Sequence, residues 1–202
     1  MATRIITPVC ILSYPHLDKV QPKIEGSAGP AKFGAVFVFT NAADRALLDA
    51  ALKEAFEAAV TDPAKRAALV KTPSFKTGIR TDVENYASVG GLFYINTRSE
   101  SKPGAVYSYP DESAPADPKT GRKPPKRIPE DRYLDDLYPG ARVRASVTAY
   151  YFDKAGNKGL GWALNNVQKV SDADRLDNRR AADAEFEATD ESLAGNMDDM
   201  LS

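Results

Sequence analysis

Residues 142–152 and 159–170 each alternate in a period of two, and they are joined through Asp153-Lys-Ala-Gly-Asn157, where glycine and asparagine make positive φ cheap. Two strands this long and this close must pair with each other, which commits the chain to a β architecture. On the first, Val143, Ala145, Val147, Ala149 and Tyr151 share one face, and Arg142, Arg144, Ser146, Thr148, Tyr150 and Phe152 the other. Further strands are expected at Arg4–Tyr14, Lys32–Thr40, Gly91–Arg98 and Ala105–Tyr109. A helix capped by Asn41 follows the second of these, with Leu47, Leu48, Ala51, Leu52, Ala55, Phe56, Ala59 and Val60 as its apolar stripe. Asp62-Pro63 starts a second short helix, and Thr72-Pro73 ends it. Strands and helices do not alternate, so the expected fold is mainly β: an OB-like β-barrel with a helical insertion.

Charge divides the chain. Residues 171–202 carry seven Asp, three Glu and three Arg, whereas residues 1–170 carry 24 basic and 18 acidic side chains. A basic body, 1–170, and a disordered acidic tail, 171–202, are expected, the tail acting as a tethered mimic of a polyanion. Residues 99–131 hold seven prolines and the basic run Lys119, Arg122, Lys123, Lys126 and Arg127, a composition that predicts a long loop. No apolar stretch approaches the roughly 20 residues a membrane span needs, and no signal-peptide pattern stands at the start, so a cytoplasmic protein without a membrane partner is expected. Cys10 stands alone among apolar neighbours and reads as a buried small hydrophobe.

Common catalytic constellations are missing. The single histidine, His16, has no obvious nucleophile to serve, and CxxC, HExxH, GxxxxGK[ST] and GxGxxG do not occur. No enzyme activity, cofactor or metal is expected. Binding signals are stronger, because Arg142, Arg144 and Tyr150 share one strand face while Tyr94, Asn96 and Arg98 share another. Guanidinium groups neutralise phosphates and flat rings stack on unpaired bases, so this pairing suits single-stranded nucleic acid. Lys76 and Arg80 flank a glycine turn, and Tyr107, Tyr109 and Trp162 add rings, with Leu160 and Leu164 of Trp162's own parity offering it a core instead. A protein-docking module with a basic face is the alternative reading.

The blocks Tyr138-Pro-Gly-Ala-Arg-Val-Arg-Ala-Ser-Val-Thr-Ala-Tyr-Tyr151, Ala155-Gly-Asn-Lys-Gly159 and Ala163-Leu-Asn-Asn-Val-Gln-Lys-Val170 resemble a family of tailed-phage single-stranded DNA-binding proteins. Phe75-Lys-Thr-Gly-Ile-Arg-Thr-Asp82, Gly91-Leu-Phe-Tyr-Ile-Asn96 and Lys102-Pro103 resemble its earlier motifs in the same order. The resemblance implies an OB-fold barrel that binds single-stranded DNA without sequence preference in phage DNA replication, recombination or repair, in the cytoplasm of the infected bacterial host. It implies contacts at Lys76, Arg80, Tyr94, Asn96, Lys102, Arg142 and Arg144, with Asn165, Asn166, Gln168 and Lys169 as further ones. Replication or recombination proteins are the expected partners of the tail, and the oligomeric state stays open. Thr81–Asn85 lacks the Asp-Gly-Asp turn of the family, and the loop from Asp111 to Asp131 is longer and more basic than usual.

Overall fold

A computed structural model describes residues 3–21, 30–154 and 156–177. Its strands are β1 (Thr3–Ile6), β2 (Cys10–His16), β3 (Phe33–Phe39), β4 (Phe93–Ser99), β5 (Gly104–Pro110), β6 (Pro125–Arg127), β7 (Arg142–Lys154) and β8 (Asn157–Ser171). Helices α1 (Arg45–Ala59) and α2 (Pro63–Val70) lie between β3 and β4, and the single turn α3 (Tyr133–Asp136) precedes β7.

The long hairpin organises everything else. β7 pairs with β8 along its whole length, and its other edge takes β2 at Arg142–Val143 and then β1 at Ser146–Ala149. β8 likewise takes β4 in parallel at Trp162–Ala163 and β5 at Asn166–Lys169. With the β2–β3–β4 meander this closes a ring, β2-β3-β4-β8-β7, the strand order of an OB fold. The contact between β4 and β8 is short, so the ring is not an evenly bonded barrel. Its interior holds Leu12, Phe37, Phe39, Ile95, Val143, Val147, Trp162, Leu164 and Val167, all at most 2% exposed. The α1 face bearing Leu48, Ala51, Leu52 and Ala55 joins this core, as its spacing predicts, whereas Leu47 is 43% exposed.

Three differences from the expected elements have local causes. The first strand is broken into β1 and β2 because Thr7 turns inward, its N–H donating to Ala145 O and its hydroxyl accepting from Ala145 N, while Pro8 has no N–H to give. The loop from 99 to 131 is partly sheet, since β5 pairs with β6, and Asp117 accepts from the Lys119 and Thr120 amides to hold the turn between them. The hairpin turn is tighter than five residues, because pairing continues out to Lys154 and Asn157.

The expected tail lies mostly outside the described residues, from 178 onward. Its root is ordered: Tyr138 Oη donates to Asp172 and accepts from the Ala173 amide, the Arg175 guanidinium stacks over the Tyr138 ring, and Leu176 N–H donates to Pro139 O. Among the described residues no helix is long and apolar enough to cross a membrane.

Candidate nucleic-acid interface

Residues directly opposite one another in a ladder point to the same face, so the register maps the outside of the ring. Across β2, β3 and β4 the rung Ile11–Val38–Tyr94 continues to Arg80, whose N–H and C=O exchange bonds with Tyr94 at 2.9 Å. Next to it stand Ser13–Val36–Asn96 and His16–Gly34–Arg98. Tyr94, Asn96 and Arg98 therefore form one outward row along β4, as their alternation predicts.

Above that row runs a strap, residues 75–82. It fills the gap that the short β4–β8 contact leaves open. At one end Lys76 N–H donates to Lys158 O and Leu160 N–H to Lys76 O; at the other, Arg80 bonds Tyr94. Gly159 permits the approach, since a Cβ there would lie 2.5 Å from Lys76 O. The middle is pegged from inside, where Trp162 Nε1–H donates to Gly78 O at 3.0 Å. Between strap and sheet lies a groove of about 590 Å³ lined by Lys76, Arg80, Asp82, Asn96, Leu160 and Gly161. The Tyr150 ring lies against Gly161 and flanks this groove. Asn96 also lines an adjoining hollow of about 230 Å³ with Tyr14, His16 and Arg98.

The second cationic row lies on β7, β8 and their neighbours. Arg127, Val106, Gln168 and Arg144 stand side by side on β6, β5, β8 and β7. Arg98, Ala163, Thr148 and Arg4 do the same on β4, β8, β7 and β1. Between the two rows lie Gly104, Asn166, Ser146 and Ile6. No carboxylate stands on any of the three, and among the described residues Arg4, Arg98, Arg127, Arg142 and Arg144 make no salt bridge.

Three expected contacts fail on burial or orientation. Trp162 is 1% exposed and serves as core and peg, so it offers no face to a base. Lys169 is 8% exposed, bonded to Asp136 and Asp172. The reason is a bulge at Asn165: β7 pairs Val147 with Leu164 but Ser146 with Asn166, so the inward parity of β8 passes from Trp162 and Leu164 to Val167 and Lys169. Tyr107, opposite Lys169, faces the same way, and its hydroxyl donates to Asp136 at 2.8 Å. Burial, with Asp136 beside it, pushes Tyr107 up to about 12. Burial works against ionised Asp136, but the bonds from Tyr107 and Arg132 and the charge of Lys169 hold it below the ordinary carboxylate range.

Other expected residues are placed apart. Lys102 sits away from the strap, paired with Glu130, in a cleft with Arg127 and Asn166. Arg142 shares the Ile11–Val38–Tyr94 rung, but Tyr86 and Leu176 cover the rung's centre. Sequence reading missed Tyr14, which is 63% exposed with φ at 43°, a left-handed backbone rare for a tyrosine and set by the β2 bulge. An aromatic residue directly before Pro15 in a strand was the available signal.

A family model described as Enterobacter phage Enc34, ssDNA-binding protein, matches residues 3–198. Among solved structures, the single-stranded DNA-binding protein from bacteriophage Enc34 in complex with ssDNA superposes with a TM-score of 0.64 at 18% identity, over 86% of this chain and 89% of that one. A second structure of that protein gives 0.62 at 18% identity, over 91% and 90%. The gp2.5 single-stranded DNA-binding protein encoded by bacteriophage T7 gives 0.55 at 10% identity, over 90% and 98%. No curated protein matches by sequence. At these identities the structural likeness speaks for the fold.

Proposed function

Since this chain belongs to the Enterobacter phage Enc34 ssDNA-binding protein family, we propose that it coats single-stranded DNA, without sequence preference and without catalysis, during phage DNA replication, recombination or repair in the host cytoplasm. The observation that carries the reading is the groove between the 75–82 strap and β4, lined by Lys76, Arg80 and Asn96, continued by the hollow of Tyr14 and Arg98, with Tyr94 bonded to Asp82 and the Tyr150 ring against Gly161 beside it. The cations hold the backbone, and the rings accept unpaired bases of any identity. From Arg98 the acid-free rows through Arg4, Arg144 and Arg127 extend the phosphate-binding surface around the hairpin, with Asn166 between them. Lys102 contributes there only by exchanging Glu130 for a phosphate.

The acidic segment is a second component of this reading. Leu176 packs against the cluster of Ile11, Val38 and Tyr86 that Val36 and Tyr94 also join, so the described residues end, at 177, beside the groove face. Residues 178–202, with seven carboxylates against two arginines, start from there. We assign them the roles of a tethered competitor for the cations and a docking arm for replication or recombination proteins. Deleting 178–202 should tighten DNA binding, most at low salt, and the gain should shrink as the Debye length approaches roughly 8 Å. Unchanged affinity at every salt concentration would leave only the docking role.

The direct test is fluorescence anisotropy of a labelled oligonucleotide at several salt concentrations, with duplex as competitor. Intrinsic fluorescence is a poor reporter, because the only tryptophan is buried. Neutralising about five phosphates predicts a slope of log K on log salt of about −3 to −4. Salt-independent binding, or equal affinity for duplex, would reject the coating model in favour of protein docking.

A further inference from the structure

Asp82 fills the place an anion would take in the groove. Its carboxylate accepts two side-by-side bonds from Arg80, Nε to Oδ1 at 2.9 Å and Nη2 to Oδ2 at 2.8 Å. The Tyr94 hydroxyl donates to Oδ2 at 3.1 Å. Two-pronged bonding of this kind is what a guanidinium gives to two oxygens of a phosphodiester. The side chains of Arg80 and Asp82 are 56% and 50% exposed, so the pair faces the open groove. The bond from Arg80 holds the Asp82 carboxyl at about 2, so it is ionised at neutral pH. Other groove cations differ: among the described residues Lys76 and Arg98 have no carboxylate partner.

We infer that Asp82 is an internal stand-in for a DNA phosphate, displaced from Arg80 and Tyr94 when single-stranded DNA enters the groove. The inference rests on the groove being the DNA path. Tethered two residues from Arg80, the carboxylate competes at high effective concentration, yet an exposed pair is weak enough to be replaced. It therefore sets the affinity and does not abolish binding. It also changes the ion balance. When DNA takes Arg80, the guanidinium trades one anion for another, and the released carboxylate gathers a cation from solution. While Asp82 is present, Arg80 adds nothing to the salt slope.

The experiment compares Asp82→Asn, Arg80→Ala and the double variant with the wild type, by anisotropy of a labelled oligothymidine at four salt concentrations. Asp82→Asn should bind about three- to tenfold more tightly at low salt, with a slope steeper by about 0.7. The gain should vanish in the Arg80→Ala background, because it acts through that guanidinium. Weaker binding by Asp82→Asn would show that the carboxylate positions Arg80 for DNA, and would overturn the inference. So would unchanged affinity and slope, or a gain that survives in the double variant. Wild-type protein that fails to bind the oligomer would sink the functional reading itself, a separate outcome. Thermal melts check the fold of each variant. Should Asp82→Asn melt early, Asp82→Ser removes the charge with a smaller side chain and leaves Arg80 and Tyr94 in place; tighter binding with a steeper slope supports the inference, and equal or weaker binding overturns it.

Discussion

The groove face and the hairpin face use the same side chains in opposite ways. Along the groove, Arg80 is paired with Asp82, and the surface carries the rings of Tyr14 and Tyr94. Along the arginine rows that cross β7 and β8 no carboxylate stands, among the described residues Arg144, Arg127 and Arg4 make no salt bridge, and Tyr150 stands at the margin toward the groove. The difference separates two tasks that composition alone merges. In the proposed coating model, the face with rings and a self-neutralised cation stacks bases and exchanges anions, while the face with bare cations holds phosphates and adds salt dependence.

The comparison is broken most forcefully from the core. Trp162→Ala removes a buried ring and the bond to Gly78 O, and should cost about 3–5 kcal/mol in chemical denaturation, with DNA affinity falling because the strap loses its peg. A variant of normal stability would show that the groove does not hang on the core. Next, Tyr94→Ala should weaken single-strand binding by about 1–3 kcal/mol in anisotropy, with the salt slope unchanged. Tyr14→Ala should act alike and more weakly. If either leaves affinity intact while the protein melts normally, that ring is not a base platform. On the other face, the Arg144→Ala and Arg127→Ala pair should flatten the salt slope by about 1.4 in total and leave base stacking untouched. An unchanged slope would confine DNA to the groove.

The smallest effect lies beneath the hairpin face. Lys169 bonds Asp172 at 2.8 Å, and that bond draws Asp172 below the ordinary carboxylate range. A depressed carboxylate contributes stability above its unfolded value, near 3.9, and loses it as the pH falls through the folded one. Asp172 is largely exposed, so Asp172→Asn should cost no more than about 1 kcal/mol above pH 5. The gap from wild type should close as the solution is acidified toward pH 2, which urea midpoints at several pH values will read. A gap independent of pH would assign the loss to packing.

Much of this was legible in the chain because alternation is a local signal. The outward row of β4, the inward face of β7 and the α1 stripe all follow from counting residues. What counting misses is any change of phase. The bulge at Asn165 is invisible in composition, yet it moved Lys169 inside and left Asn166 and Gln168 facing outward. A pairing across a long separation was likewise illegible: nothing near Trp162 points to Gly78, 84 residues away. Tyr14 was passed over because its exposure depends on a left-handed backbone in the middle of an apolar strand.

The peg has a consequence for synthesis. Gly78 and Trp162 are 84 residues apart, and the ring closes only when β7 and β8, the last of the described strands, have paired with β2 and β4. Contacts so distant form late, because the loop between them must be closed first. A chain still on the ribosome thus carries its strap and β4 early, with no wall opposite them to make a groove. Until that pairing forms, a growing chain beside exposed nucleic acid has little of the proposed surface with which to hold it.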